Sequence, residues 1–172
     1  MTMGDRIAVM HEGRILQSGA PKDIYNRPNT QFVARFIGQP TMNFATVRYA
    51  DGAIAAEAFA FTFDPDRRLA DGEYVLGVRP EDFVLDPADP AGTATVTVTE
   101  PTGSEVIVYL GTPNELTIKS DATVEPAVGA EVSFGVPSEA IHLFDPETGE
   151  TVYHGRRKRE DTATAPVQSV EE

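Results

Sequence analysis

The chain has 172 residues, of which 41% are hydrophobic and 24% charged, and a formal net charge of −13 at neutral pH. That length allows one or two compact domains with a sizeable core, and so acidic a body repels a phosphate backbone, which excludes nucleic acid as the main partner. Cysteine is absent, so disulfides, thiol chemistry and thiolate-ligated metal are excluded as well.

No apolar run is long enough for a transmembrane helix. The first residues also lack the basic, apolar, small-residue order of a signal peptide, so a cytoplasmic chain without direct membrane insertion is expected. Near the C-terminus, Arg156, Arg157, Lys158 and Arg159 are balanced by Glu160, Asp161, Glu171 and Glu172. This reads as a solvated tail rather than a lipid or nucleic-acid contact.

In chain order, Ile7 to Met10 and Arg14 to Gln17 flank His11-Glu12-Gly13, two short apolar runs around a glycine turn, which predicts a β-hairpin. Pro21 marks the entry to a helix beginning near Lys22. A second helix is predicted over the segment NTQFVARFIG, capped by Asn29 or Thr30 and ended by Gly38. Its Phe32, Val33, Phe36 and Ile37 form one apolar stripe, expected to pack into a core.

From Met42 the period changes to that of strands, expected at 43–49, 54–63, 73–79, 94–100, 105–110, 114–119, 131–136 and 140–144. Residues 93–99 alternate Thr with Ala or Val, the two-residue period of a half-buried strand. Asp51-Gly52, Asp71-Gly72 and Thr112-Pro113-Asn114 supply turns. The pattern predicts a mainly β fold, a small barrel or sandwich with Phe59, Phe61, Phe63 and Phe83 in its core or at an interface. After Glu160 little remains to bury, and disorder is expected.

These residues carry a family resemblance. The stretch MTMGDRIAVMHEGRILQSGAPKDIYNRP resembles the last part of the nucleotide-binding domain in carbohydrate-importer ABC ATPases of the maltose and glycerol-phosphate type. FVARFIGQPTMNF is similar to the junction that follows. LGVRPEDF at 76–83, GSEVIVYLG at 103–111 and IHLFDPETGE at 141–150 are similar to the family's C-terminal TOBE portion, an OB-type module. The resemblance implies a nucleotide-binding-domain remnant over 1–37, a TOBE/OB-type regulatory domain over 38–155 and a disordered tail over 156–172. It also implies that the chain stands apart from its motor, because the family's phosphate loop, signature motif and switch histidine lie upstream of Met1.

The residues agree that no catalysis is expected here. A phosphate-binding loop needs glycines ahead of a Lys-Ser or Lys-Thr pair, and Pro21, Ile118 and Arg157 precede the chain's three lysines, Lys22, Lys119 and Lys158. The histidines His11, His142 and His154 lack metal-ligand spacing, so no metal is expected. Ser104 lacks the context of an activated nucleophile. Cofactors are therefore expected only in a complete parent ATPase, as ATP and magnesium. In Arg79-Pro80-Glu81-Asp82, proline fixes a bend and arginine pairs with an acid. Gly77, Pro80, His142 and Asp145 are read as structural, while Arg79 and Glu81 are the candidates for contact with an oxyanion or sugar.

Two functions compete at this point. One is the regulatory and dimerisation portion of an ABC importer's ATP-binding subunit. It would sit peripherally at the inner face of the membrane, with the ATPase and membrane subunits, a second copy of itself and regulatory proteins as partners. The other is a stand-alone TOBE module that binds a small molecule. Outside a complete ATPase, the first hairpin and the Phe32/Phe36 stripe are expected to lie uncovered.

Overall fold

The structure is a computed structural model that describes residues 5–155; the expected tail at 156–172 lies outside them. Two antiparallel strands, β1 (Ile7–His11) and β2 (Arg14–Gly19), form the predicted hairpin. Helices α1 (Pro21–Asn26) and α2 (Gln31–Phe36) follow. Proline starts α1, and the Thr30 hydroxyl accepts the Val33 N–H at 3.2 Å to cap α2. Val9, Ile24 and Val33 close a small core between hairpin and helices.

The predicted α2 stripe is split. Val33 is fully buried, but Phe36 is 67% exposed and Phe32 38% exposed, its ring tilted against His11 at 4.2 Å. The Val33 face of the short helix packs into the hairpin, Phe32 meets His11 at the hairpin's end, and Phe36 is left largely open.

Eleven further strands follow: β3 (Asn43–Ala50), β4 (Ala53–Ala55), β5 (Ala60–Thr62), β6 (Gly72–Val78), β7 (Val84–Leu85), β8 (Gly92–Pro101), β9 (Glu105–Leu110), β10 (Leu116–Asp121), β11 (Glu131–Gly135), β12 (His142–Phe144) and β13 (Thr151–His154). They make a six-stranded sheet in the order β13-β12-β6-β3-β4-β5 and a five-stranded sheet in the order β10-β9-β8-β11-β7. Period-two sequences orient them. Along β3, Ala45, Val47 and Tyr49 point into the core while Thr46 and Arg48 face out; along β9, Val106, Val108 and Leu110 point inward.

The segment expected as one strand over 54–63 is instead two strands. After Ala55 the chain bends, the Ala56 N–H donates to the Phe59 carbonyl at 2.8 Å, and β5 folds back on β4. The bend Ala56-Glu57-Ala58 holds no β-branched or aromatic side chain that would favour a straight strand. Turning there lets Phe59 and Phe63 both reach the core, where they are 8% and 0% exposed; Phe83 joins them, and Phe61 packs against the rim. Strands β7 and β13, two and four residues long, are too short for periodicity to announce them.

Two seams join the sheets into a nearly closed barrel. At one, the Ala60 N–H donates to Ala91 O and the Ala91 N–H to Phe134 O, at 2.9 and 2.8 Å, tying β5 to the start of β8 and to β11. At the other, the Asn43 side chain stands in for a strand residue. Its amide nitrogen donates to Thr117 O at 2.8 Å, and its oxygen accepts the Thr117 N–H at 2.8 Å. A carboxamide has the donor and acceptor geometry of a peptide group, so one side chain continues the ladder from β3 to the edge of β10.

Candidate functional site

The sequence candidates converge on the junction between the helices and the barrel. Gly77 lies in β6 at its closest approach to the layer beneath. A Cβ there would stand 2.6 Å from Met42 Sδ and 2.8 Å from Phe144 Cε2, so only glycine lets Met42 and Phe144 pack under the strand. Pro80 is buried and begins a single 3₁₀ turn, Pro80–Asp82, that swings the chain out of β6. Arg79, at the corner between strand and turn, is 1% exposed.

Its guanidinium points at the helices. Nη1 donates to Ala34 O at 3.1 Å and to Ile37 O, Nη2 donates to Tyr25 O at 3.0 Å, and the Tyr25 ring stacks 4.0 Å from Cζ. Tyr25, Ala34 and Ile37 sit at the C-terminal ends of α1 and α2, where carbonyls lack intrahelical donors and the helix dipole is negative. One planar cation thus serves both helix ends, a geometry that lysine cannot reproduce. Gly38 makes room for it: φ is +121°, and a Cβ would stand 2.9 Å from Arg79 Nη1. Glu81, the other ligand candidate, is exposed and accepts the Tyr25 hydroxyl. Both candidates are therefore engaged with the N-terminal segment of their own chain.

The second motif grips the same segment from another side. Asp145 folds the link between β12 and β13: its Oδ1 accepts the N–H groups of Thr148 at 2.8 Å and Glu147 at 2.9 Å and the Thr148 hydroxyl at 3.1 Å. These bonds, that to Thr148 first, hold its carboxyl below the usual range. The shaped turn then meets the start of α2. The Gln31 N–H donates to Gly149 O at 2.8 Å, the Thr151 N–H to Asn29 O at 2.9 Å, and the Thr151 hydroxyl to Pro28 O at 2.6 Å. Beneath them Ala34, Met42 and Phe144 form one buried cluster, and Arg35 lies over the Phe44 ring. The Arg79 corner and the Asp145 turn together fix residues 25–37 to the barrel.

His142 faces His154 directly across β12 and β13, with Nδ1 to Nδ1 at 2.8 Å. At least one ring must accept in that bond, and an accepting imidazole is neutral. His154 is pushed down from 6.5 to about 4, first by burial and then by the charges of Arg27 and Arg67. A histidine whose folded value lies below its unfolded value stabilises the fold above the unfolded value, and that contribution is lost as pH falls from about 6.5 to about 4. The shift alone corresponds to ~3 kcal/mol, reduced to about 1–2 kcal/mol because His154 is partly open to water. Urea midpoints measured from pH 7 to pH 4 should fall accordingly, and His154→Gln should flatten the slope. Asp121 and Asp145, whose values are lowered below 3.8, contribute only at more acid pH, which keeps the window separate.

Sequence reasoning missed this pair, the Asn43 seam and Tyr25. The histidine pair was accessible in principle: a hairpin centred on Asp145-Pro146-Glu147-Thr148-Gly149 places residues 142 and 154 nearly opposite. Asn43 and Tyr25 act on positions far along the chain, Thr117 and Arg79, that no local pattern links to them. Among the described residues no group of three or more His, Asp or Glu converges to hold a metal ion, and no helix is long and apolar enough to cross a membrane.

Residues 76–144 match the TOBE domain family. The chain is 35% identical over 177 residues to the xylose/arabinose import ATP-binding protein XacJ of Haloferax volcanii, covering 93% of this chain and 46% of that protein. It is 34% identical over 155 residues to the sn-glycerol-3-phosphate import ATP-binding protein UgpC of Ruegeria pomeroyi, covering 88% of this chain and 43% of that protein. Among solved structures it is similar to the cytoplasmic molybdate-binding protein ModG, at a TM-score of 0.43 and 16% identity, covering 59% of this chain and 94% of that one. The chain spans under half the length of the curated relatives it matches. The TOBE match takes in the Arg79 corner and ends at Phe144, just before the Asp145 turn, and the relatives' matches cover 93% and 88% of this chain: the chain belongs to the ATP-binding proteins of ABC importers, as their TOBE-bearing C-terminal part.

Proposed function

We propose that this chain is the regulatory and dimerisation part of the ATP-binding subunit of an importer for carbohydrates or related solutes, with no catalysis of its own. The observation that carries this reading is the double grip on residues 25–37 by the Arg79 corner and the Asp145 turn. A barrel fastened in this way to the preceding segment passes displacements to it, and regulation of a neighbouring ATPase domain requires no more than that. The names of XacJ and UgpC support sugars and glycerol phosphate as the class of cargo. Nucleotide and magnesium belong to the ATPase domain of such a protein, and the membrane subunits, a second copy of the chain and regulatory proteins are its partners. The assembly sits at the cytoplasmic face of the membrane.

The reading is tested by light scattering on the intact chain at tens of micromolar, together with an assay for phosphate release from ATP. A dimer without hydrolysis is expected. A strict monomer would remove the dimerisation role, and hydrolysis above a heat-treated control would remove the non-catalytic assignment.

A further inference from the structure

The barrel carries an open cleft of about 210 Å³ between the bend that joins β4 to β5 and the turn that joins β9 to β10. At roughly 30 Å³ per water this holds about seven waters, the bulk of a monosaccharide. We propose that this cleft binds a small, neutral polyhydroxylated ligand of monosaccharide size. The proposal rests on the reading of the chain as part of a carbohydrate importer and gives that reading an effector site.

Both walls are fixed before any ligand arrives. The β4–β5 bend is closed by the bond from Ala56 N–H to Phe59 O and pressed against Gly92, where a Cβ would stand 2.6 Å from Ala58 O. On the other side the Glu115 N–H donates to Thr112 O at 2.9 Å, the Leu116 N–H to the Thr112 hydroxyl at 3.1 Å, and Glu115 holds φ at +44°. A non-glycine residue in that region persists only where its surroundings hold it. The Asn43 seam keeps the start of β10 beside β3.

The lining decides the ligand class. Phe59 and Leu116, 8% and 4% exposed, give an apolar floor. Thr46, Glu57 and Asn114 bring a hydroxyl, a carboxylate and a carboxamide to the rim. The hydroxyl and the carboxamide both donate and accept and the carboxylate accepts, as the vicinal hydroxyls of a sugar require, while the apolar floor suits a C–H face of its ring. No lysine or arginine lines the cleft, and the chain carries a net charge of −13, so a phosphate or other oxyanion is disfavoured.

The test is a titration of the ¹⁵N-labelled intact chain with D-xylose and D-glucose, followed by backbone amide shifts, with sn-glycerol 3-phosphate and putrescine as anionic and cationic probes. Saturable shifts centred on Thr46, Glu57 and Asn114 with a monosaccharide are expected, at a dissociation constant on the order of millimolar for so open a site. Glu57→Gln should weaken it about tenfold, the loss of one hydrogen bond to a charged acceptor. Both Glu57 and Asn114 are exposed, so the remaining spectrum of Glu57→Gln or Asn114→Ala should be unchanged. Saturable shifts with only putrescine or only glycerol phosphate would overturn the ligand class, and no saturable shift with any sugar would overturn the site. None of these outcomes bears on the dimer and phosphate-release measurements, so failure of the effector site is distinguishable from failure of the regulatory reading.

Discussion

Replacing Arg79 with alanine should lower the unfolding free energy by about 3–5 kcal/mol, because it removes a buried cation and strips donors from the carbonyls of Tyr25, Ala34 and Ile37 at once. In a chain of this size that corresponds to a fall in Tm of roughly 10 °C or more. Arg79→Lys should recover only part of the loss, since a single ammonium cannot reach acceptors on two helix ends and keep the stack on Tyr25. The loss should also be uneven. With the corner undone, the segment before Gly38 should become sensitive to protease at denaturant concentrations that leave the barrel intact. Urea unfolding followed by circular dichroism, with limited proteolysis alongside, checks both parts.

Asn43→Ala should cost about 2–3 kcal/mol. The substitution leaves Thr117 N–H and Thr117 O without the partner that continues their ladder. It also enlarges a void of about 10 Å³ that already lies beside Asn43, among Phe44, Phe59, Phe83 and Leu116. Asn43→Asp keeps the acceptor for Thr117 N–H but loses the donor to Thr117 O, so its stability at neutral pH should stay close to that of the alanine variant. Urea midpoints of the two variants, with an unchanged m-value as the sign that the fold is the same, provide the check.

Much of the architecture was legible because it rests on local rules. The hairpin around Gly13, the Thr30 cap and the strands at β3 and β9 are short-range chemistry that the structure shows, whereas the alternation expected over 93–99 holds as far as Val96 and breaks at the bulge before Val98, which is 45% exposed. The bend at 56–58 was hidden because Ile54, Phe59, Phe61 and Phe63 all suit a strand, and only the need to bring two rings to one core shows that the run must fold back. The exposed Phe36 is the uncovered face expected of the stripe outside a complete ATPase, whereas Val33 of the same stripe is buried against the hairpin. The motif Arg79-Pro80-Glu81 stood out in the sequence, yet its natural reading was a local arginine–acid turn. The guanidinium also reaches carbonyls more than forty positions earlier in the chain, an acceptor set that carries no side-chain signature. Backbone acceptors explain why a motif can be visible while its partner is not.

Native-state hydrogen exchange tests most directly whether the barrel and the preceding segment act as one unit. The Ala34 and Ile37 N–H groups, bonded to Thr30 O and Val33 O at 3.0 and 3.1 Å, report on α2, and the amides of β6 and β12 report on the barrel. If the Arg79 corner and the Asp145 turn couple them, both sets should exchange with the same opening free energy and the same dependence on urea in the intact chain. In Arg79→Ala they should separate. Exchange of Ala34 and Ile37 orders of magnitude faster than that of β6 in the intact chain would contradict the coupling, and with it the route by which this barrel could regulate an attached ATPase domain.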